Sequence, residues 1–134
     1  MEKICESWMD FDMKEIDENQ EQVYLSKDKD LYMQMFLRDY CLRPSCYACE
    51  ARKVRCSDIT IADFWGIDNV APEMNDGKGT SLVLVRTEKG KKIFNQIADS
   101  MVVKEVSYED GVKGNPAEYK SPARTPQRDT FCSD

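Results

Sequence analysis

Four cysteines fall within sixteen residues of this chain: Cys41, Cys46, Cys49 and Cys56, spaced C-x4-C-x2-C-x6-C. A cysteine thiolate is a soft, negatively charged donor that suits iron–sulfur clusters and zinc. The run Cys46-Tyr47-Ala48-Cys49 places two sulfurs on one side of a turn, as neighbouring positions on one metal or cluster require. Cys46 and Cys49 are therefore the expected ligands, and Cys41 and Cys56 are further candidates. Cys5 and Cys132, near the ends, read as ordinary thiols. The first three members share the spacing of plant-type two-iron ferredoxins, but the rest of such a ferredoxin is missing. Spacing alone leaves an iron–sulfur cluster and a structural zinc site level, with unligated thiols as a third reading. There is no histidine. That excludes His-ligated zinc, Ser-His-Asp chemistry and a histidine general base on this chain.

The charges around the array point the same way. Arg43, Arg52, Lys53 and Arg55 stand against Glu50 alone between the outer cysteines. Nearby positive charge stabilises thiolates and an anionic cluster. The same cations could attract a phosphate or an acidic cofactor tail, or simply form a solvated loop.

A second constellation follows. Asp63 ends a predicted strand beside Phe64 and Trp65, aromatics that could stack on a flat cofactor ring or pack in a core. Asp58 and Asp63 could instead cap turns or pair with Arg43 or Arg55. The loop from Asn75 to Ser81 offers Lys78, Gly79 and Thr80 as a candidate phosphate cradle. It is not a P-loop, because a strand follows where a helix should. A plain connecting loop is the simpler reading.

The elements that position these groups can be read from pattern. Asp28 or Asp30 can cap a helix over about 31–40, with Met33, Met35 and Phe36 as core. Pro44 ends it by disfavouring a helical residue before it. Val23–Ser26 reads as a short strand, and residues 1–22 give no clear element. Ile59–Phe64 reads as a strand by alternation. Ser81–Val85 is a continuous β-branched and leucine run of the kind buried strands carry. Thr87 caps a helix over about 88–99, and Val102–Val106 is expected to be a third strand. The fold class expected is α+β, or a small α/β unit, with a short sheet of three to four strands, two helices and a cysteine-bearing loop. The divisions are an acidic lead segment (1–29), a cysteine-loop and α+β domain (30–110) and an irregular tail (111–134).

The chain has 134 residues, enough for one ordinary domain, and carries a net charge of −6. Residues 1–30 hold ten acidic and four basic residues, which accounts for all of that charge. No basic face is implied, so no nucleic acid is expected as a partner. No stretch approaches the roughly 20 apolar residues of a membrane span. The opening residues lack an apolar signal core, so a cytoplasmic location is expected.

One resemblance gathers these motifs. The run LRPSCYACEARKVRCSDITIADFWGID, Leu42 to Asp68, resembles the coenzyme F-420 hydrogenase/dehydrogenase beta subunit family, in its carboxy-terminal domain. Arg43-Pro44-Ser45-Cys46 with Cys49 carries one motif, and Ser57 through Gly66 a second. Gly79 through Val85, followed by Thr87, Glu88 and Gly90, carries a third. Asn115-Pro116 and Arg128-Asp129-Thr130-Phe131 resemble its closing segment, so the likeness covers about Asp30 to Phe131. The resemblance implies an iron–sulfur cluster, a four-iron cubane being the expected type, and electron exchange with a flavin or deazaflavin. It also implies an amino-terminal half, absent here, that carries further cysteines and much of the flavin site. Flavin binding is thus expected only with that half, and the partner is that half or a redox protein. Cys41 and Cys56 sit where the family is expected to carry other residues. The other readings are a zinc-stabilised, non-enzymatic interaction module and an inactive remnant.

Overall fold

The charged opening of the chain folds as a β-meander. The computed structural model describes residues 2–5 and 10–128, and of residues 2–5 the backbone alone. Cys132 and the Asp129–Phe131 part of the closing segment lie outside the described residues, as does the side chain of Cys5. The architecture is α+β, and the chain forms two units that are described in turn.

The first unit comprises the residues up to Ala48, with 121–128. Strands β1 (Glu2–Cys5), β2 (Phe11–Ile16) and β3 (Gln22–Ser26) pair antiparallel in that order. Met13 stands opposite Lys3 on one side and Leu25 on the other. Asp17 closes the β2–β3 hairpin: its Oδ1 accepts from the amides of Asn19 and Glu21 at 2.9 and 2.8 Å. Asp30 starts α1 (Leu31–Leu37), its Oδ1 accepting from the Met33 amide at 2.6 Å. An aspartate does this because the first turn of a helix leaves amides without partners. The helix stops short of the expected Tyr40, because Asp39 turns left-handed at φ 59°. Phe36 is not core as expected. It is exposed and stacks on Tyr32 with ring centroids 6.2 Å apart.

The second unit runs from Cys49 to Lys120. It holds α2 (Glu50–Lys53), β4 (Ile59–Asp63), α3 (Ile67–Val70), β5 (Ser81–Val85), α4 (Glu88–Ala98) and α5 (Tyr108–Lys113). Short 3-10 turns lie at Pro72–Met74 and Pro116–Glu118. β4 and β5 form an antiparallel ribbon, from Ile59 opposite Val85 to Asp63 opposite Ser81. Thr87 caps α4 as its position predicts, accepting from the Gly90 amide at 3.0 Å. Gly90 also lets α4 settle on the start of β4: a Cβ there would stand 2.4 Å from the carbonyl oxygen of Asp58.

The core of this unit is Phe64, Ile67, Ala71 and Leu82, with Val70, Met74, Leu84 and Val106 packed on it. The expected third strand is not formed. Residues 102–106 make no backbone hydrogen bond among the described residues. Lys104 is drawn to Glu73 in an ion pair, and Val106 is held by the core. These two anchors fix the segment without pairing it to β5. The segment and β5 instead line a groove of about 990 Å3.

Candidate functional site

The two groups of candidate residues in the second unit occupy opposite ends of the β4–β5 ribbon. The four residue steps from Ile59 to Asp63, at about 3.3 Å each, put those ends roughly 13 Å apart.

At the start of β4 lies an open cleft of about 610 Å3, lined by Cys49, Arg52, Arg55, Cys56, Thr60 and Glu118 among others. Cys49 is half-buried at the N-cap of α2, and Cys56 is exposed just beyond that helix. A four-residue helix has no stability of its own, since nucleating a turn is unfavourable. Here it is held from outside. Arg52 Nε donates to the carbonyl oxygen of Ala117 at 2.7 Å. Arg55 donates to the Glu118 carboxylate at 2.9 Å and also to the Glu118 backbone carbonyl.

Glu118 is buried, 8% exposed, and gathers further partners. Arg86, just past the end of β5, reaches Oε1 at 2.8 Å, and the Tyr108 hydroxyl of α5 reaches the same oxygen at 3.3 Å. Arg86 is itself braced on the hydroxyl of Thr60 at 2.9 Å. Burial alone would push the Glu118 carboxyl up, but hydrogen bonds from Arg86 and Arg55, and their charges, outweigh it and hold the group below its ordinary range. Asp58, beside the cleft, does not pair with Arg55 among the described residues. It accepts from the Thr87 hydroxyl at 2.5 Å and from Lys89 at 3.0 Å. Those two bonds, Thr87 first, hold its carboxyl low.

At the other end, the Phe64 amide donates to the Thr80 carbonyl oxygen at 2.8 Å. This brings the Asp63-Phe64-Trp65 run beside the Lys78-Gly79-Thr80 loop, two groups that sequence reading treated separately. Phe64 is a core residue, whereas Trp65 is 46% exposed. Asp63, Lys78 and Gly79 are exposed. Thr80 is half-buried, its hydroxyl donating to the Met74 carbonyl oxygen at 2.7 Å. Gly114 backs this end closely: a Cβ there would fall 1.9 Å from the Trp65 carbonyl oxygen.

The other two cysteines of the array belong to the first unit. Cys41 is exposed, and Cys46 is half-buried in the 3-10 turn Pro44–Ala48, where its amide donates to the Arg43 carbonyl oxygen at 2.9 Å. Arg128 Nε donates to the carbonyl oxygen of Leu42 at 2.9 Å, next to Cys41 in the chain. None of the four is in a disulfide. Among the described residues, no three cysteine or carboxylate side chains converge as a metal-ligating group. Each unit thus offers two of the array's thiols. Their soft-donor chemistry suits a cluster, while a cubane takes four such donors.

Sequence reading missed Glu118 and Arg86. The signal was indirect: four cations crowd the cysteine array against a single nearby acid, so a carboxylate from elsewhere in the chain is the natural partner. The Asn115-Pro116 turn marks a local fold, but pairing across 63 residues leaves no local trace.

Against known proteins, the family model for the C terminus of the coenzyme F420 hydrogenase/dehydrogenase beta subunit matches residues 2–111. The match takes in the meander, all four cysteines of the array and the ribbon, and ends before Glu118. No curated protein and no solved structure shows significant similarity. Among the described residues, no helix is long and apolar enough to cross a membrane.

Proposed function

The chain belongs to the family formed by the C-terminal region of coenzyme F420 hydrogenase/dehydrogenase beta subunits, and from that premise we propose that it is the iron–sulfur-binding, electron-transfer module of a flavin- or deazaflavin-linked oxidoreductase. The observation that carries this reading is the cysteine array inside the matched stretch, with Cys49 and Cys56 facing a cleft that Arg52 and Arg55 also line. Cys46 and Cys49 are the proposed ligands. Three residues apart, their Cα atoms can never be more than about 11 Å from each other. Cys41 and Cys56 are the further candidates, and an amino-terminal half or a redox partner is the other source of donors. A bound cluster would supply single-electron transfer, leaving two-electron chemistry to a flavin.

The chain's own residues would prepare that site. Arg52 and Arg55 offset the negative charge of thiolates, and Glu118 keeps Arg55 in place. At the far end of the ribbon, Trp65 is the proposed ring-stacking surface, with Asp63, Lys78, Gly79 and Thr80 around it. Phe64 supports it from the core. A complete flavin site would need the amino-terminal half. The proposed setting is the cytoplasm.

Metal, acid-labile sulfide and flavin analysis of protein purified without oxygen tests this reading. Iron with matching sulfide and little flavin is the expected result. Zinc without iron would replace it with a zinc-stabilised interaction module. Stoichiometric flavin retained through gel filtration would move the flavin site into this chain.

A further inference from the structure

We infer that Glu118 is a positioning residue for the cysteine cleft: its carboxylate latches the Cys49–Cys56 turn to the β4–β5 ribbon and to α5. The inference deepens the reading above and relies on it only for what the thiols bind, not for the latch itself.

Apolar burial does not hold the turn. α2 is four residues long and carries no buried residue. Outside the helix's own bonds, the amides of Arg52 and Val54 donate to turn carbonyls, at 3.3 and 3.0 Å. Its neighbours Val54, Arg55 and Cys56 are exposed. No buried apolar side chain anchors the six residues that separate Cys49 from Cys56, so fixed geometry has to come from polar contacts.

Those contacts converge on two adjacent residues. Arg52 grips the Ala117 carbonyl, and Arg55 grips both the side chain and the carbonyl of Glu118. Glu118 in turn is fixed from the ribbon side by Arg86 and from α5 by Tyr108. One carboxylate therefore joins three elements, with one oxygen facing Arg55 and the other facing Arg86. Its burial strengthens both bonds, because water does not compete for them. Arg55 immediately precedes Cys56, so holding its guanidinium also restricts the thiol that follows. A charge-assisted, two-sided carboxylate of this kind fixes direction as well as distance.

The chemistry also explains why glutamate fits. Aspartate is one methylene shorter and could not span Arg55 and Arg86 at once. Glutamine keeps the length but loses the charge that both arginines face.

The test uses the full, metal-free chain. Arg55→Gln severs the turn while leaving Glu118 bonded to Arg86 and Tyr108, so the ribbon should survive. Amide exchange at Val54 is expected to accelerate at least tenfold, with β4 and β5 protected as in the parent. Unchanged exchange at Val54 would overturn the latch. Cadmium, followed by its thiolate charge-transfer absorption, reads the thiols directly. Glu118→Gln and Glu118→Asp are both expected to weaken cadmium binding at least fivefold. If Glu118→Asp binds like the parent, charge alone matters and positioning is refuted. Should the Glu118 variants fail to fold, exchange at Val54 in Arg55→Gln decides alone. Iron content of the parent protein is read separately: its absence would remove the cluster reading, while accelerated exchange at Val54 would still establish the latch.

Discussion

At its Phe64 end, the β4–β5 ribbon is held by apolar packing: Phe64, Ile67, Ala71 and Leu82 exclude water together, and Gly114 lets α5 close against Trp65. At its Cys56 end, almost nothing apolar is buried, and the ribbon is held by a carboxylate between two arginines and by Asp58 bonded to Thr87 and Lys89. The difference separates stability from adjustability. Apolar packing is insensitive to pH and salt, whereas a charged latch responds to both. A site that exchanges electrons, and so changes charge, sits more naturally at the end where charges already balance one another. The family match extends across the apolar core, and the latch residue Glu118 lies beyond it.

The comparison can be broken at either end. Leu82→Ala leaves a cavity in the apolar end and should cost about 3 kcal/mol in urea unfolding, with little pH dependence. Glu118→Gln should cost about 2–3 kcal/mol at neutral pH, because it leaves two guanidinium groups facing an uncharged amide. Its cost should depend on pH. The folded carboxyl lies below its ordinary range, so its contribution is complete above the ordinary glutamate value and disappears as pH falls through the lower folded value. Parent and Glu118→Gln unfolding curves should therefore converge in acid. A constant gap down to the acid range would show that Glu118 acts through shape alone. Thr87→Ala removes both the α4 cap and the hydroxyl on Asp58, and should cost about 1 kcal/mol. Lys53→Met should cost less than about 0.5 kcal/mol, since the Lys53–Glu50 pair is largely in water. A larger loss there would mean that the cysteine turn is held by its own surface charges and not by Glu118.

The legibility of the sequence follows the same division. β5 was readable because Leu82–Val85 is an unbroken run of leucine and valine, and α1 and α4 because Asp30 and Thr87 are capping residues at the right spacing. β2 was not, because FDMKEI buries only Met13 and carries charge at three of its other positions, so alternation is weak. Val102–Val106 has the composition of a strand, yet an ion pair at Lys104 and packing at Val106 decide its path. At the candidate site, the cysteines were legible because their chemistry is carried by residue type and close spacing. Glu118 was not, because its anchor is electrostatic and its arginine partners lie 63 and 32 residues away in the chain. The meeting of Phe64 with Thr80 depends on strand register, which residue types do not state.

The proposed assignment is that Cys46 and Cys49 ligate an iron–sulfur cluster. It is tested most directly by the double variant Cys46→Ser/Cys49→Ser, purified without oxygen beside the parent protein, with iron and sulfide measured per chain. Loss of essentially all iron from a variant that still folds is the predicted result. Iron stoichiometry equal to that of the parent would contradict the assignment.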